Sequence, residues 1–289
     1  MSVSFNTECL QCHLKRHLEN ARAYGDEATA MAFAKELMKL YLSAPEGVGS
    51  PWFGPGTNEL YRRFYGIEGD RYKEEKEFSN RFMLERLPRM RELVSAAEDP
   101  VFAGLQLAIL GNYLDFSALQ GKVSFEQLED MLAEAMKIDL DRAVYAQLCR
   151  NLAQGTKLLV LTDNAGEIVA DRVMAEAIAE RYPQLQITFC VRGGPAHNDA
   201  LREDAEAVGI PFPVIDSGSD IGGTELSMLG DEAKQAMEDA DVILAKGMGN
   251  TETLYGCGYN VYYAFLVKCQ RFVSAFQKPL MTPMLVSEK

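Results

Sequence analysis

The chain contains 289 residues, of which 42 are acidic and 29 are basic, giving a formal net charge of −13 at pH 7. A chain of this length can bury a large core and favours two domains over one, and its acidity argues against nucleic acid or an anionic membrane as the main partner. It shows neither a long apolar run nor a basic and then apolar N-terminus, so we expect no membrane span, no secretory signal and a cytoplasmic location.

A Cys-x-x-Cys-His sequence lies near the N-terminus, at Cys9, Cys12 and His13, with His17 one helical turn later. This spacing is used for c-type haem attachment and forms half of many zinc sites. Haem attachment needs export from the cytoplasm, so we give it little weight. Two interpretations stay open, namely packing of these side chains, which we favour, and a metal or thiol role completed by a remote residue such as Cys269.

The first half of the chain predicts helices and no strands. Helix-forming residues with apolar positions three and four apart recur over 21–42, 73–97, 101–116, 124–135 and 139–153. We therefore predict an all-helical domain over residues 1–153. The segment 47–56 is predicted to be a loop, in which Trp52 and Phe53 pack as a corner more readily than they cover a ligand as a lid.

Asn112 and Asp115 form a polar pair within an apolar part of this helical half. Residues three apart share one face of a helix, and buried polar groups need hydrogen-bond partners. The pair therefore either braces the end of its helix or reaches a ligand crevice in the second half of the chain.

The second half, residues 154–289, predicts an α/β domain with a mostly parallel sheet. Apolar or β-branched runs typical of strands occur at 158–161, 186–192, 212–216, 241–245 and 260–267. Polar or glycine-rich turns follow most of these runs. Because the carboxyl ends of parallel strands meet at one edge of a sheet, we expect the polar residues to line one crevice.

The turn after the run 158–161 carries the densest group of oxygen-bearing side chains. Asp163 and Asn164 come first, Glu167 follows in the first turn of a predicted helix, and Asp171 lies one turn later on the same face. Such oxygen ligands suit Mg²⁺ or Mn²⁺ better than zinc. The alternative is a helix cap with acidic residues that complement the helix dipole, and from this turn alone the two are evenly matched.

The other turns favour a metal-dependent phosphoryl site. A divalent cation held by Asp163, Asn164 and Asp199 would polarise a phosphoryl oxygen and lower the pKa of its bound water. Lys246, Lys268 and Arg192 would neutralise the phosphate. The glycine turns 193–194 and 247–249, with a helix beginning near Thr251, would bring backbone N–H groups close to an anion.

These residues resemble the ordered motifs of the metal-dependent damage-control phosphatases, formerly domain of unknown function 89. The motifs are Asp163-Asn164-Ala-Gly-Glu167, Arg192-Gly-Gly-Pro195 with Asn198-Asp199, Lys246-Gly-Met-Gly-Asn250-x-Glu252, Lys268-Cys269, Gly111-Asn112-x-x-Asp115 and Cys9-x-x-Cys12. The two cysteine motifs are similar to the prokaryotic branch. The resemblance covers nearly the whole chain and implies a helical N-terminal domain joined to a Rossmann-like α/β/α domain over 154–289.

The resemblance also implies site residues and a cofactor. It places the divalent metal, one of Mg²⁺, Mn²⁺, Co²⁺ or Ni²⁺, on Asp163, Asn164 and Asp199. It places phosphate contacts on Lys246, on Lys268 and on the backbone near Ala165 and Gly247. The remaining predicted substrate contacts are Arg192, Asn250, Glu252 and Asn112. His197 departs from the family pattern and is expected to modify the site or to face solvent.

The function predicted from the sequence is hydrolysis of small phosphorylated metabolites by a metal-activated water, with Asp163, Asn164 and Lys246 as the catalytic residues. Direct attack by Asp163 is less favoured, because the second aspartate of the haloacid-dehalogenase pattern is replaced by Ala165. Two alternatives stay open. One is a non-catalytic metal or thiol-binding module that uses Cys9, Cys12 and Cys269, and the other, less favoured, is a carboxyl methyltransferase.

Overall fold

The computed structural model describes residues 3–111, 132 and 134–289. It contains a six-stranded sheet with the strand order β3-β2-β1-β4-β5-β6. The strands are β1 (Lys157–Leu161), β2 (Gln186–Val191), β3 (Val214–Asp216), β4 (Val242–Lys246), β5 (Val261–Leu266) and β6 (Pro283–Ser287). All neighbouring pairs are parallel except β5 and β6, which are antiparallel. The predicted α/β architecture with a mostly parallel sheet is confirmed.

Helices precede the sheet and cover both of its faces. In chain order, the helices of the described residues are α1 (Thr7–Tyr24), α2 (Glu27–Leu42), α3 (Gly54–Tyr65), α4 (Lys73–Leu84), α5 (Leu87–Ser95), α6 (Pro100–Gly111), α7 (Arg142–Gln154), α8 (Glu167–Arg181), α9 (Arg202–Ala207), α10 (Asp231–Asp239), α11 (Gly247–Leu254) and α12 (Gln270–Phe276). Short 3-10 helices occupy Ser50–Phe53 and Leu226–Met228. In the part of the chain that the structure describes, no helix has the length and apolar character that a membrane crossing requires.

Alternating side chains of the central strands explain the two helical layers. In β1, Leu158 and Val160 belong to a core cluster with residues of α6 and α8. Leu159 and Leu161 point to the opposite face and belong to a cluster that includes Met237 of α10. Because both faces of a parallel strand are buried, the strand is apolar throughout.

Several sequence predictions about the elements are corrected by the structure. The predicted helix 21–42 is two helices that break at Gly25, where the Asp26 side chain caps α2 by accepting from Thr29 N. The predicted helix 73–97 also divides in two, since Pro88 lies in the first turn of α5. Helices α1 and α3 and strand β6 were not predicted, and most of the predicted helix 124–135 lies outside the described residues.

The N-terminal helices form their own core and also contact the sheet domain. Phe33 and Leu37 of α2 pack with Leu60 and Tyr61 of α3. Phe53 is buried among aromatic rings, as predicted for a packed corner. The prediction of a loop over 47–56 is corrected, because the segment contains the 3-10 helix Ser50–Phe53 and the first residues of α3. Since α6 shares a core cluster with α8 and the strands, the division of the chain at 153/154 stays a prediction.

Candidate active site

The turns after β1 and β2 are hydrogen bonded to each other at the carboxyl edge of the sheet. Ala165 N donates to Asn198 O at 2.8 Å and Ala200 N donates to Asp163 O at 2.8 Å. Between these bonds, Asn164 and Asp199 form an isolated antiparallel bridge. Residues 35 positions apart in the sequence are thereby held side by side, so the structure brings Asp163, Asn164 and Asp199 together as predicted.

These three residues line a cavity of about 590 Å³. The chain reverses strand order between β1 and β4, and a ligand crevice is expected at such a switch point. One wall of the cavity comes from α1, and Glu252, Lys268 and Cys269 also line the cavity. The cavity therefore lies between the sheet edge and the N-terminal helices, and its size suits a small-molecule ligand.

Acidic groups are crowded at the base of this cavity. Burial raises the pKa of Asp163 well above its ordinary value, and the neighbouring charges of Glu167 and Asp199 raise it further. Burial also raises the pKa of Asp199, although Arg192 opposes this by donating from Nε to Asp199 Oδ2 at 2.6 Å. A site of this kind stabilises a positive charge, because a cation offsets the repulsion between the carboxylates.

Asn164 connects the base of the cavity to a buried network. Its Nδ2 donates to Asp163 Oδ2 at 2.9 Å and to Glu167 Oε2 at 2.9 Å. Both bonds use the amide nitrogen, so the carbonyl oxygen Oδ1 is engaged in neither. The orientation of Asn164 is thus set by two carboxylates, one on each side.

Lys246 points away from the cavity and into the interior. Its Nζ donates to Glu167 Oε1 at 2.5 Å, Asp171 Oδ1 at 2.6 Å and Ala108 O at 2.9 Å, and the side chain is 0% exposed. Burial alone would lower the pKa of Lys246, but the charges of Asp171 and Glu167 outweigh burial and raise it. The structure does not bring this predicted phosphate contact to the cavity wall.

The turn after β4 presses against Asp163. Helix α11 begins at Gly247, one turn earlier than the predicted start near Thr251. Gly247 has φ +76°, and a Cβ atom there would lie 2.0 Å from Asp163 Oδ2. Only glycine permits this approach, which places the N-terminus of α11 beside the carboxylate.

Of four other predicted substrate contacts, two line the cavity and two do not. Glu252 and Lys268 line the cavity, and burial raises the pKa of Glu252 to about 7 although Ser50 N donates to its Oε2 at 2.9 Å. Asn250 is buried and bonded to the protein, accepting from Thr224 Oγ1 at 2.8 Å and donating to Lys246 O at 2.7 Å. Arg192 is also buried outside the cavity wall.

Ala165 lies in the turn after β1 and His197 lies in the turn after β2. The amide of Ala165 is occupied by Asn198 O. His197 lines the cavity beside Tyr72, with the ring centroids 6.0 Å apart. Asn112 and Asp115 lie outside the described residues.

Two groups of residues at the site were not predicted from the sequence. Asn80 on α4 accepts from Gly166 N at 2.7 Å and donates to Asp204 Oδ1 at 2.7 Å, while Lys76 contacts Asp204 Oδ2 at 2.8 Å. This buried network fixes the turn that carries Asp163. The second group is Glu8 and Arg16, which line the cavity from α1. Helical periodicity from the predicted Cys9 and Cys12 was the signal that could have found them.

Cys9, Cys12 and Cys269 also line the cavity and are free thiols. Within the described ranges, no group of three or more His, Cys, Asp or Glu side chains is placed to hold a metal ion. The cysteine alternative therefore stays a prediction. The base of the cavity holds the carboxylates of Asp163 and Asp199 beside the side-chain amide of Asn164.

Comparison with known proteins identifies a family. The model of the damage-control phosphatase ARMT1-like domain matches residues 5–282. An uncharacterized protein of Methanocaldococcus jannaschii is 32% identical over 281 residues, which is 93% of this chain and 90% of that protein. A damage-control phosphatase of Archaeoglobus fulgidus is 34% identical over 224 residues, or 74% of this chain and 75% of its own. The crystal structure of a DUF89 family protein from Pyrococcus horikoshii has the same fold, with a TM-score of 0.83 and 24% identity over 99% of both chains.

Proposed function

The chain belongs to the damage-control phosphatase ARMT1-like family, and from that premise we propose that it is a metal-dependent phosphatase of small phosphorylated metabolites. The observation that supports this most is the pairing of the turns after β1 and β2, which gathers Asp163, Asn164 and Asp199 at the base of one cavity. Family membership suggests the phosphatase activity, and the metal is inferred from the donor set.

The residues at the base of the cavity fit a hard divalent cation. Carboxylate and carbonyl oxygens are the ligands that Mg²⁺ and Mn²⁺ prefer. Burial, together with the charges of Glu167 and Asp199, raises the pKa of Asp163. This is a second reason, because a cation would offset the crowded negative charge. We propose Asp163, Asn164 Oδ1 and Asp199 as the ligands, with Mg²⁺, Mn²⁺, Co²⁺ and Ni²⁺ as the ions to be tested.

When bound, such a cation would supply Lewis-acid polarisation of the phosphoryl oxygens and a lower pKa for the attacking water. Lys268 lines the cavity and supplies positive charge for the phosphate. The N-terminus of α11 at Gly247 adds the positive end of its backbone dipoles. In this proposal Asp163 is a ligand and water is the nucleophile.

Lys246 takes a positioning role in this proposal. It holds Glu167 at Oε1, and Glu167 uses Oε2 to hold the amide nitrogen of Asn164. An amide group has fixed geometry, so holding Nδ2 also fixes the direction of Oδ1. Groups that hydrogen-bond to a metal ligand in this way raise the affinity for the metal, because they fix the orientation of the ligand.

The test is the variant Asp163→Ala, measured by phosphate release from a panel of sugar phosphates, nucleotides and phosphopantetheine-type compounds with each metal. We expect activity to fall by at least about 1,000-fold and bound metal to be lost, with the melting temperature preserved. Asp231→Ala removes an exposed acid at the start of α10 and is the matched control. Unchanged turnover in Asp163→Ala contradicts the proposal.

The thiol-module alternative is tested with the same assays on the double variant Cys9→Ser, Cys12→Ser. If the phosphatase proposal holds, this variant keeps its turnover and its cavity metal. Loss of all bound metal from the double variant, with no turnover by the parent chain on any substrate, favours the thiol module instead.

A further inference from the structure

From the residues of α1 that face the cavity, we propose a second anion-binding subsite centred on Arg16. Its ligand is a second anionic group of the substrate, either a carboxylate or another phosphoryl group. This inference rests on the proposed function, because it assumes that the first phosphoryl group is bound at Asp163, Asn164 and Asp199. The substrate class is thereby narrowed to phosphorylated metabolites that carry a further negative charge.

One face of α1 runs along the cavity. The residues of α1 that line it are Glu8, Cys9, Cys12, His13, Arg16 and His17, and they recur at the spacing of a helical stripe. At a rise of about 1.5 Å per residue, the eight steps from Glu8 to Arg16 span about 12 Å of helix axis. The wall is therefore long enough to contact a substrate well beyond its reacting phosphate.

Arg16 lies at the end of this wall nearest the turn that carries Asp199. His197, which is two residues before Asp199, lies close enough to Arg16 to be affected by its charge. The same is true of Tyr41 and His17 in the N-terminal helices. The described residues offer its guanidinium neither a hydrogen bond nor an ion pair, and the side chain is exposed at the cavity. A guanidinium in this position can bind a carboxylate or phosphoryl group with two parallel hydrogen bonds.

The groups around Arg16 leave its positive charge uncompensated. Burial, together with the charge of Arg16, lowers the pKa of His13 to about 4. The imidazole of His13 is therefore neutral at pH 7 and serves as a polar contact. His13 is buried in the cavity wall, and its Nδ1 atom has no hydrogen-bond partner among the described residues.

The size of the cavity agrees with a substrate that has two anionic ends. A volume of about 590 Å³ lies in the range that holds whole small-molecule ligands and not just one phosphoryl group. The chain as a whole has a net charge of −13, so an anionic substrate needs local positive charge to enter. Lys268 and Arg16 both line the cavity and provide this positive charge.

The experiment measures binding of phosphonates, which are not hydrolysed, by calorimetry with Mg²⁺ or Mn²⁺ present. A series of ω-carboxyalkylphosphonates of increasing length is compared with alkylphosphonates of the same length, and α,ω-bisphosphonates form a third arm. At the length that spans the cavity, we expect the second anion to tighten binding by about tenfold. The carboxylate and bisphosphonate arms distinguish the two kinds of second group.

In Arg16→Ala this tenfold gain is expected to disappear, and in Arg16→Lys it is expected to be reduced but still present. Lys15→Ala is the matched control, because it removes a neighbouring exposed charge of α1 that does not line the cavity, and it should keep the gain. The inference is overturned if the second anionic group tightens binding at no length of the alkyl chain. It is also overturned if Arg16→Ala weakens binding of the phosphonate with a second anion and of the matching alkylphosphonate equally. Absence of phosphonate binding altogether, with no phosphatase turnover, refutes the proposed function itself.

Discussion

The buried ion-pair network behind the site gives a sharp prediction for Lys246→Met. Three charge-assisted hydrogen bonds to Lys246 Nζ, at 2.5, 2.6 and 2.9 Å, would be lost. At about 1.5 to 3 kcal/mol each, they total about 4.5 to 9 kcal/mol, which is partly offset because the variant no longer buries an ammonium group. We expect the free energy of unfolding to fall by about 3 to 5 kcal/mol, the range for breaking a buried pair.

The loss of stability should depend on pH. Burial raises the pKa of Asp171 to about 7, and Lys246 opposes this rise, so removing Lys246 raises the pKa further. A carboxyl group whose pKa is raised on folding contributes stability at low pH, and this contribution is lost as pH rises through the folded-state pKa. The variant should therefore be destabilised less at pH 5 than at pH 8.5.

Urea denaturation of the parent and the variant at both pH values measures the effect. Lys157→Met is the control, since Lys157 also lies in the sheet but pairs with Asp239 at the surface, where both side chains are over 40% exposed. Such exposed pairs contribute little to stability, because water screens the two charges. A loss in Lys246→Met no larger than that of the control, or one that is equal at both pH values, would refute the argument from the buried network.

Two further predictions concern glycine and carboxylate positions at the cavity. In Gly247→Ala the new Cβ would overlap Asp163 Oδ2 at 2.0 Å, so we expect phosphatase activity and metal affinity to fall by about 10- to 100-fold. Gly256→Ala has a similar φ of +93° with open space around the new Cβ, and an equal loss there would show that backbone strain is the cause. For Glu252, with a pKa of about 7, burial disfavours the charged form, so stability declines as pH rises from about 4.5 to 7. Glu252→Gln should remove this pH-dependent decline, which amounts to about 3 kcal/mol. Urea titrations of the variant with an unchanged pH slope would contradict this prediction.

The sequence by itself determined the features that depend on local pattern. Strand runs and the polar turns after them are encoded by neighbouring residues, because the period of apolar positions and the turn residues act over a few positions. The sequence therefore placed β1 to β5 and predicted that Asp163, Asn164 and Asp199 meet. It also indicated the parallel sheet, since strands and helices alternate from Lys157 onward.

Lys246 shows where local pattern was not enough. It has the same strand parity as Val242 and Leu244, which face the helical layer of α6 and α8. Alternation therefore turns its side chain toward Glu167 and Asp171, and away from the cavity. Position at a strand end suggested a phosphate contact, but the packing of α8 against this face decided that Lys246 supports Asn164 through Glu167.

The tertiary structure alone brought distant elements to the site. Asn80 reaches Gly166 and Arg16 reaches the cavity because α4 and α1 pack against the carboxyl edge of the sheet. No short-range pattern records such contacts, since they connect residues more than 80 positions apart. The meeting of Asp163, Asn164 and Asp199 could be predicted because these residues follow strands that a parallel sheet aligns, whereas the wall that faces them depends on how the N-terminal helices dock.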